Sequence, residues 1–550
     1  MGRIISLGWV VACLLIGLAS PAAASAQGGC PRPGVGTEAK APPDLFSSNG
    51  LLQFQLNYQT GIDSKGRTLF CFVTPDGAES PTLHVNPGDT VKIALTNALP
   101  QVPGGPEEQI SDACGDSTMT LTSVNMHFHG MNVTPACHGD EVIHTLINSG
   151  ETFDYTIKIP KNEPPGLYWY HPHIHGISSA AVQGGASGAI VVEGIEKIQP
   201  AVSGLPERLL IIRDQPLASS PLSKPAGAPR IPNWDVSVNY VSVPYPNYPP
   251  AFVKMQQGGK EFWRVANAGA NTILDLQVMY DGQAQPLQIV GFDGVPTGSQ
   301  DGKRQGTIVT QNDVLVPPAG RVEFIIAAPS SGVHNAQLVT NTINGGPSGD
   351  ANLARPLVQI RTSATPSGLR RIPKPNGPPN PQRFENLADA KVTTTRTLYF
   401  SEIHVASGVN PPSLHPPEND SHTLFYITVD GQRPLLFDPS NPPAITTTQG
   451  SVEDWIIQNR SDEVHEFHIH QIHFLLEEVN GRRVPKGHQQ FYDTYQVGYW
   501  NDKSKKYPSI KVRMDFRGAV VGDFVYHCHI LDHEDGGMMA IIRVLPKAGG

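Results

Sequence analysis

Three stretches of this chain share one pattern, and that pattern limits the fold more than any other feature. Gly88-Asp-Thr-Val-Lys-Ile-Ala-Leu-Thr-Asn97 has a glycine, an alternating apolar run and an asparagine nine positions on. Gly258-Gly-Lys-Glu-Phe-Trp-Arg-Val-Ala-Asn267 repeats it, and so does Gly450-Ser-Val-Glu-Asp-Trp-Ile-Ile-Gln-Asn459. The glycine suits a turn, the alternation suits a half-buried strand, and the asparagine suits the turn that closes it. One copy would mark any β-strand. Three mark three related β domains. High glycine and proline (54 and 51 residues) fit many short strands, and helix-period runs are scarce.

Composition places the boundaries. An apolar strand from Gly188 to Val192 ends at Glu193-Gly194-Ile195. Pro366, Pro373, Pro375, Pro378, Pro379 and Pro381 make residues 363–389 an extended linker. The expected domains are 44–196, 205–362 and 390–547, each long enough to bury its own core. Antiparallel sandwiches with Greek-key connections are the natural architecture. Charged residues are only 16%, net charge is -9, and no basic block occurs, which argues against a nucleic-acid partner.

Arg3, the apolar run Ile4 to Leu18 and the small residues Ala24-Ser25-Ala26 read as a secretory signal at 1–26, cleaved before Gln27. That run falls short of the roughly 20 residues a membrane span needs, and no other stretch could serve as one. A periplasmic or secreted protein is expected, in an oxidising compartment. Cys30, Cys71, Cys114, Cys137 and Cys528 then remain. An odd count calls for a special role for one of them, and Cys528 is the candidate. The other four permit several pairings; closeness in sequence favours Cys30–Cys71 and Cys114–Cys137.

The histidines are unevenly spread. Between residues 195 and 362 only His334 occurs, whereas the outer thirds carry four clusters. These are His127-Phe-His129, His171-Pro-His173-Ile-His175, His465-Glu-Phe-His468-Ile-His470, and His527-Cys528-His529 with His533 and Met538. On a strand, residues i and i+2 share a face, so each His-x-His can aim two imidazoles one way. In the last cluster Cys528 faces opposite to His527 and His529. A thiolate, imidazole and thioether are the donors of a blue-copper site, which needs one more histidine from elsewhere. Solvated surface histidines would not gather in this way.

These clusters, in this order, resemble the four copper signatures of the multicopper oxidases, the three-domain cupredoxin family that includes laccases. The resemblance spans the mature chain. It implies an all-β fold of three cupredoxin-like Greek-key sandwiches, with a copper-free middle domain as spacer, and four copper ions. It places a type 1 copper on His465, Cys528 and His533 with Met538 axial, and a type 2 copper on His127 and His468. It places a type 3 pair on His129, His171, His173, His470, His527 and His529. Asp140 and Glu534 match family positions tied to proton supply. Cys528 would pass electrons through its backbone to His527 and His529.

Two positions depart from the family motif, Glu466 and Gln471. Neither is a ligand, but Glu466 could alter the rim where electrons are taken in. His175 and His473 read as structural neighbours of ligands, and His138 and His144 as loop residues. Asn132-Val-Thr134 is a weak glycosylation signal. The resemblance implies a laccase-like oxidase that removes single electrons from phenols or aromatic amines and reduces dioxygen to water. Axial Met538 implies a lower potential than Leu or Phe there. The rival readings are an oxidase of ferrous, manganous or cuprous ions, and a copper-binding scaffold without activity. With 9 methionines and no rich cluster, cuprous ion is disfavoured. The expected partners are dioxygen and a small aromatic reductant or metal ion, and the expected state is a monomer.

Overall fold

The computed structural model describes residues 29–102, 108–112, 114–217, 231–299, 306–379, 383–405 and 422–547. The expected signal segment lies outside these residues. The fold is almost wholly β, with short helices such as Ser178–Gln183 and Leu531–Asp535.

The repeated pattern recurs in three dimensions. Gly88, Gly258 and Gly450 all take positive φ, where glycine has no steric penalty. The strands that follow are Thr90–Asn97, Lys260–Asn267 and Val452–Asn459. Each pairs in parallel with an earlier strand: Leu51–Ile62, Glu207–Pro216 and Thr394–Val405. Each also pairs antiparallel with a later one: Thr152–Lys158, Arg321–Ala327 and Ser509–Asp515.

The asparagines do more than end a turn. All three are buried. Asn97 Nδ2 donates to the carbonyls of Thr122 and Ile147, Asn267 Nδ2 to those of Thr272 and Val316, and Asn459 Nδ2 to those of Glu463 and Val497. Each Oδ1 accepts the N–H two residues on, from Leu99, Gly269 and Ser461. One side chain thus satisfies buried loop carbonyls that would otherwise be costly to leave unpaired.

Each repeat builds its own core. One apolar cluster runs from Leu52 to Val192, a second is built largely from Leu210 to Ile360, and a third runs from Leu398 to Val544. Smaller clusters seal the seams. Leu167 and Trp169 pack on Leu209 and Ala266, Val142 and Ile143 on Val525 and Met539, and Val295 on Leu475 and Phe491. These are three cupredoxin-like sandwiches locked face to face, which fixes side chains on one sandwich against those on another. The disulfides Cys30–Cys71 and Cys114–Cys137 form as favoured, with Cα atoms 6.0 and 5.5 Å apart. Cys528 is free and buried. Among the described residues no helix is long and apolar enough to cross a membrane.

Candidate metal centres

Strand register brings the clusters together. In the first sandwich His127–His129 pairs antiparallel with Gly166–His171, setting His171 opposite His127 and Trp169 opposite His129. In the third, His465–Ile469 pairs antiparallel with Gly522–Cys528, setting His527 opposite His468 and Cys528 opposite Phe467. Alternation along the strand then separates two sites.

In the first site, His465 Nδ1 and His533 Nδ1 lie 3.1 Å apart. Cys528 Sγ lies 3.6 Å from the former and 3.7 Å from the latter. His533 comes from the short helix Leu531–Asp535. Met538 is fully buried, and its carbonyl accepts the Cys528 N–H at 3.1 Å. Burial pushes the Cys528 thiol well above its ordinary range, so ionising it would take a bound cation.

In the second site eight histidines from the outer sandwiches face one another, all buried. The Nε2 atoms of His173, His470 and His527 lie within 3.1–3.3 Å of each other. His129, His171 and His529 form another triple, and His127, His129 and His468 a third. Burial, and then mutual repulsion, hold His127, His129, His468, His470 and His529 well below the usual histidine range. Their rings are therefore neutral and carry lone pairs.

Those lone pairs test whether metal fits. Buried ring nitrogens without a partner among the described residues include His127 Nε2, His468 Nε2, His129 Nδ1, His171 Nε2 and both nitrogens of His529. Buried polar atoms are normally paired, and a group of orphans facing one chamber is what metal ligands look like without their ion. Imidazole with one thiolate suits copper.

The two acids both abut the chamber. Asp140 has its two oxygens 3.0 Å from His127 Nδ1, accepts the Phe128 N–H, and is pushed up to about 8 by burial. Gln471, one of the departures from the motif, donates its Nε2 to Asp140 Oδ2 at 2.5 Å. Glu534 lies 3.1 Å from His527 Nδ1 and 3.7 Å from His173 Nε2, raised well above its usual range by burial and then by Asp535. Glu466 is not at a rim. It is fully buried, accepts from Gln496 Nε2, and donates its backbone N–H to Cys528 Sγ at 3.4 Å. Asn132 is buried too, donating to Glu163 at 2.8 Å, so its sequon is no surface acceptor. His473 Nε2 lies 2.8 Å from the Asp293 carbonyl, and His175 lines a cavity beside His173.

Several functional neighbours carried no sequence signal. Glu402 Oε1 lies 2.9 Å from His465 Nε2, and Glu463 Oε1 lies 3.4 Å from His533 Nε2. A cavity of about 250 Å³ opens beside His533, lined by Glu463, Asp532, Phe425 and His404, with Asp350 and Asn271 contributed by the middle sandwich. Asp493, Arg321 and Asp293 form a buried network behind His129 and His468.

Known proteins resemble this chain over most of its length. Multicopper oxidase family models match residues 119–197 and 411–548. A multicopper oxidase of Staphylococcus haemolyticus is 23% identical, over 84% of this chain and 81% of its own length. A laccase of Bacillus subtilis is 23% identical over 84% of this chain and 87% of its own. Among solved structures, a multicopper oxidase of Campylobacter jejuni described as a metallo-oxidase superposes with a TM-score of 0.64 at 22% identity, covering 94% of this chain and 96% of its own. McoA of Aquifex aeolicus also reaches 0.64, at 19% identity, over 92% and 99%. Multicopper oxidase domains are thus matched in both outer thirds of the chain, and its fold is that of solved multicopper oxidases. Multicopper oxidases and laccases are copper-dependent oxidoreductases that use dioxygen.

Proposed function

We propose that this chain is a laccase-like oxidase, with a type 1 copper on His465, Cys528, His533 and Met538. A type 2 copper belongs on His127 and His468. The type 3 pair divides between His129, His171 and His529 on one side and His173, His470 and His527 on the other. The single observation that carries this reading is the placement of Cys528 in one site while its neighbours His527 and His529 face the other. Bound copper supplies one-electron oxidation of a reductant at the cysteine site and four-electron reduction of dioxygen to water in the histidine chamber.

The chain's own residues support the rest. The covalent path from Cys528 Sγ through the backbone to the His527 and His529 rings joins the sites without a mobile carrier. Asp140, pushed up to about 8 by burial, lies against His127 Nδ1, and Glu534, raised well above its usual range by burial, lies 3.1 Å from His527 Nδ1; carboxyls so placed suit proton supply to the chamber. A small apolar cavity, about 20 Å³, reaches His173 between Val142, Phe437, Val525 and Met539. Such a cavity suits a small apolar gas better than water. We read the chain as exported, given its signal-like start and its two disulfides.

The reductant has two readings. A phenol or aromatic amine would donate a hydrogen bond to Glu463, which lines the cavity beside His533. The carboxylates favour a second reading, a ferrous or manganous ion, because hard cations seek oxygen ligands. Parallel oxygen-uptake assays on phenols, iron(II), manganese(II) and copper(I) decide between them. Uptake with metal ions alone would sink the laccase-like reading. A copper-loaded preparation that never turns blue would sink the type 1 assignment.

A further inference from the structure

We propose that Arg321, on the middle sandwich, is the positioning residue for the part of the chamber where His129, a type 3 ligand, adjoins His468, a type 2 ligand. It acts through Asp493, which fixes which nitrogen of His129 and of His468 is free for metal. This rests on the ligand assignment above.

Asp493 is fully buried and serves both rings at once. Its Oδ1 lies 3.1 Å from His129 Nε2, so that nitrogen carries the proton and donates to the carboxylate. His129 Nδ1 is then the bare nitrogen, and it has no partner. The Asp493 carbonyl accepts from His468 Nδ1 at 2.8 Å, which leaves His468 Nε2 bare and likewise without a partner. One residue thus sets opposite tautomers on histidines from two different sandwiches. Hydrogen bonds to the far nitrogen are the usual means of orienting a metal-binding imidazole.

Asp493 is itself held by Arg321. Nη1 donates to Oδ1 at 2.8 Å and Nη2 to Oδ2 at 2.5 Å, a two-pronged pair that fixes the carboxylate plane. The guanidinium is anchored in turn: Nε donates to the Leu167 carbonyl on the first sandwich and Nη1 to the Ala319 carbonyl on its own. Asp293 completes the lock by accepting the backbone N–H groups of Arg321, Asp493 and Thr494. Gly130, next to His129, leaves the room, since a Cβ there would sit 2.5 Å from both Arg321 Nη2 and Asp493 Oδ2. All three sandwiches meet at this one ion pair. Without Arg321 the carboxylate loses its counter-charge and its fixed plane.

The test is Arg321→Met beside Arg321→Lys in the full copper-loaded enzyme, read by copper content, type 2 electron paramagnetic resonance and blue absorbance. Thermal unfolding of the copper-free protein is the fourth readout. Arg321→Met should weaken copper retention in the chamber roughly 10–100-fold, alter the type 2 signal, and leave the blue band intact. Arg321→Lys keeps the charge without the fork and should restore retention in part. If Arg321→Met does not fold, Arg321→Lys carries the test alone, and an unchanged type 2 signal and copper content with the fork gone would overturn the proposal. Lower stability of the copper-free variant, with the type 2 signal and copper content of the loaded variant unchanged, would reduce Arg321 to a packing residue and overturn the proposal. A parent enzyme lacking any type 2 signal would overturn the ligand assignment itself.

Discussion

The cysteine site and the histidine chamber are built on different principles. His465, Cys528, His533 and Met538 all come from one sandwich, the first two on adjoining strands, His533 on a short helix and Met538 just after it. The chamber takes four histidines from each outer sandwich, and the middle one braces it through Arg321 and Asp293. A site within one domain depends on that domain's folding. A site at a seam also depends on how domains dock, and interfaces switch between discrete arrangements rather than deform smoothly. Disturbing the seam should therefore empty the chamber before it bleaches the cysteine site.

The sharpest break in the comparison is Cys528→Ser. The hydroxyl is a poor copper ligand and removes sulfur from the electron path. The blue band should vanish and oxygen uptake should fall below detection, while copper analysis still finds the chamber filled. Surviving turnover would mean that electrons reach the chamber by another route.

Gly130→Ala strikes the chamber from the other side. Its φ of 81° costs an alanine about 1–2 kcal/mol, and the new Cβ collides with the Arg321–Asp493 pair. Thermal unfolding should show a loss of about 2 kcal/mol or more, and copper analysis should show depletion of the chamber with the blue band retained. Equal loss from both sites would mean that they are one cooperative unit.

The legible part of this molecule follows the same division. Strand alternation made the His-x-His pairs readable, because a two-residue period is local and independent of docking. The repeats were readable because glycine and asparagine each answer a backbone demand within ten residues. Asp493 and Arg321 were not readable. Asp493 stands 364 residues from His129 and 172 residues from Arg321, the two side chains it contacts. A lone arginine on a strand and a lone aspartate before a threonine carry no period. The middle domain, nearly empty of histidine, read as a spacer for this reason. Its contribution is made by residue types that sequence spacing does not flag. Glu466 failed in the opposite direction, because a charged residue beside a ligand suggests a rim, yet the strand register turns it inward.

The mouth of the cysteine site qualifies the comparison, since the middle sandwich reaches there too. Asp350 lines the cavity beside His533, with Glu463, Asp532 and His404 also facing it. Burial raises Asp350 to about 6, aided by Asp532 and Asp214 and opposed by its bond from Trp234 Nε1. An acid with a raised value is neutral below it and charged above it. The cavity therefore gains a negative charge as pH rises through about 6. If the reductant is a divalent cation, its KM should fall by roughly threefold to tenfold across that interval, a screened charge being worth about 1 kcal/mol. Steady-state oxygen uptake with iron(II), corrected for autoxidation, measures this, and Asp350→Asn should flatten the curve while leaving the blue band unchanged. A neutral phenol should show no such fall. A KM for iron(II) that stays flat in the parent enzyme would remove Asp350 from the binding of the donor. The cysteine site would then belong to its own sandwich in substrate capture as well as in metal binding.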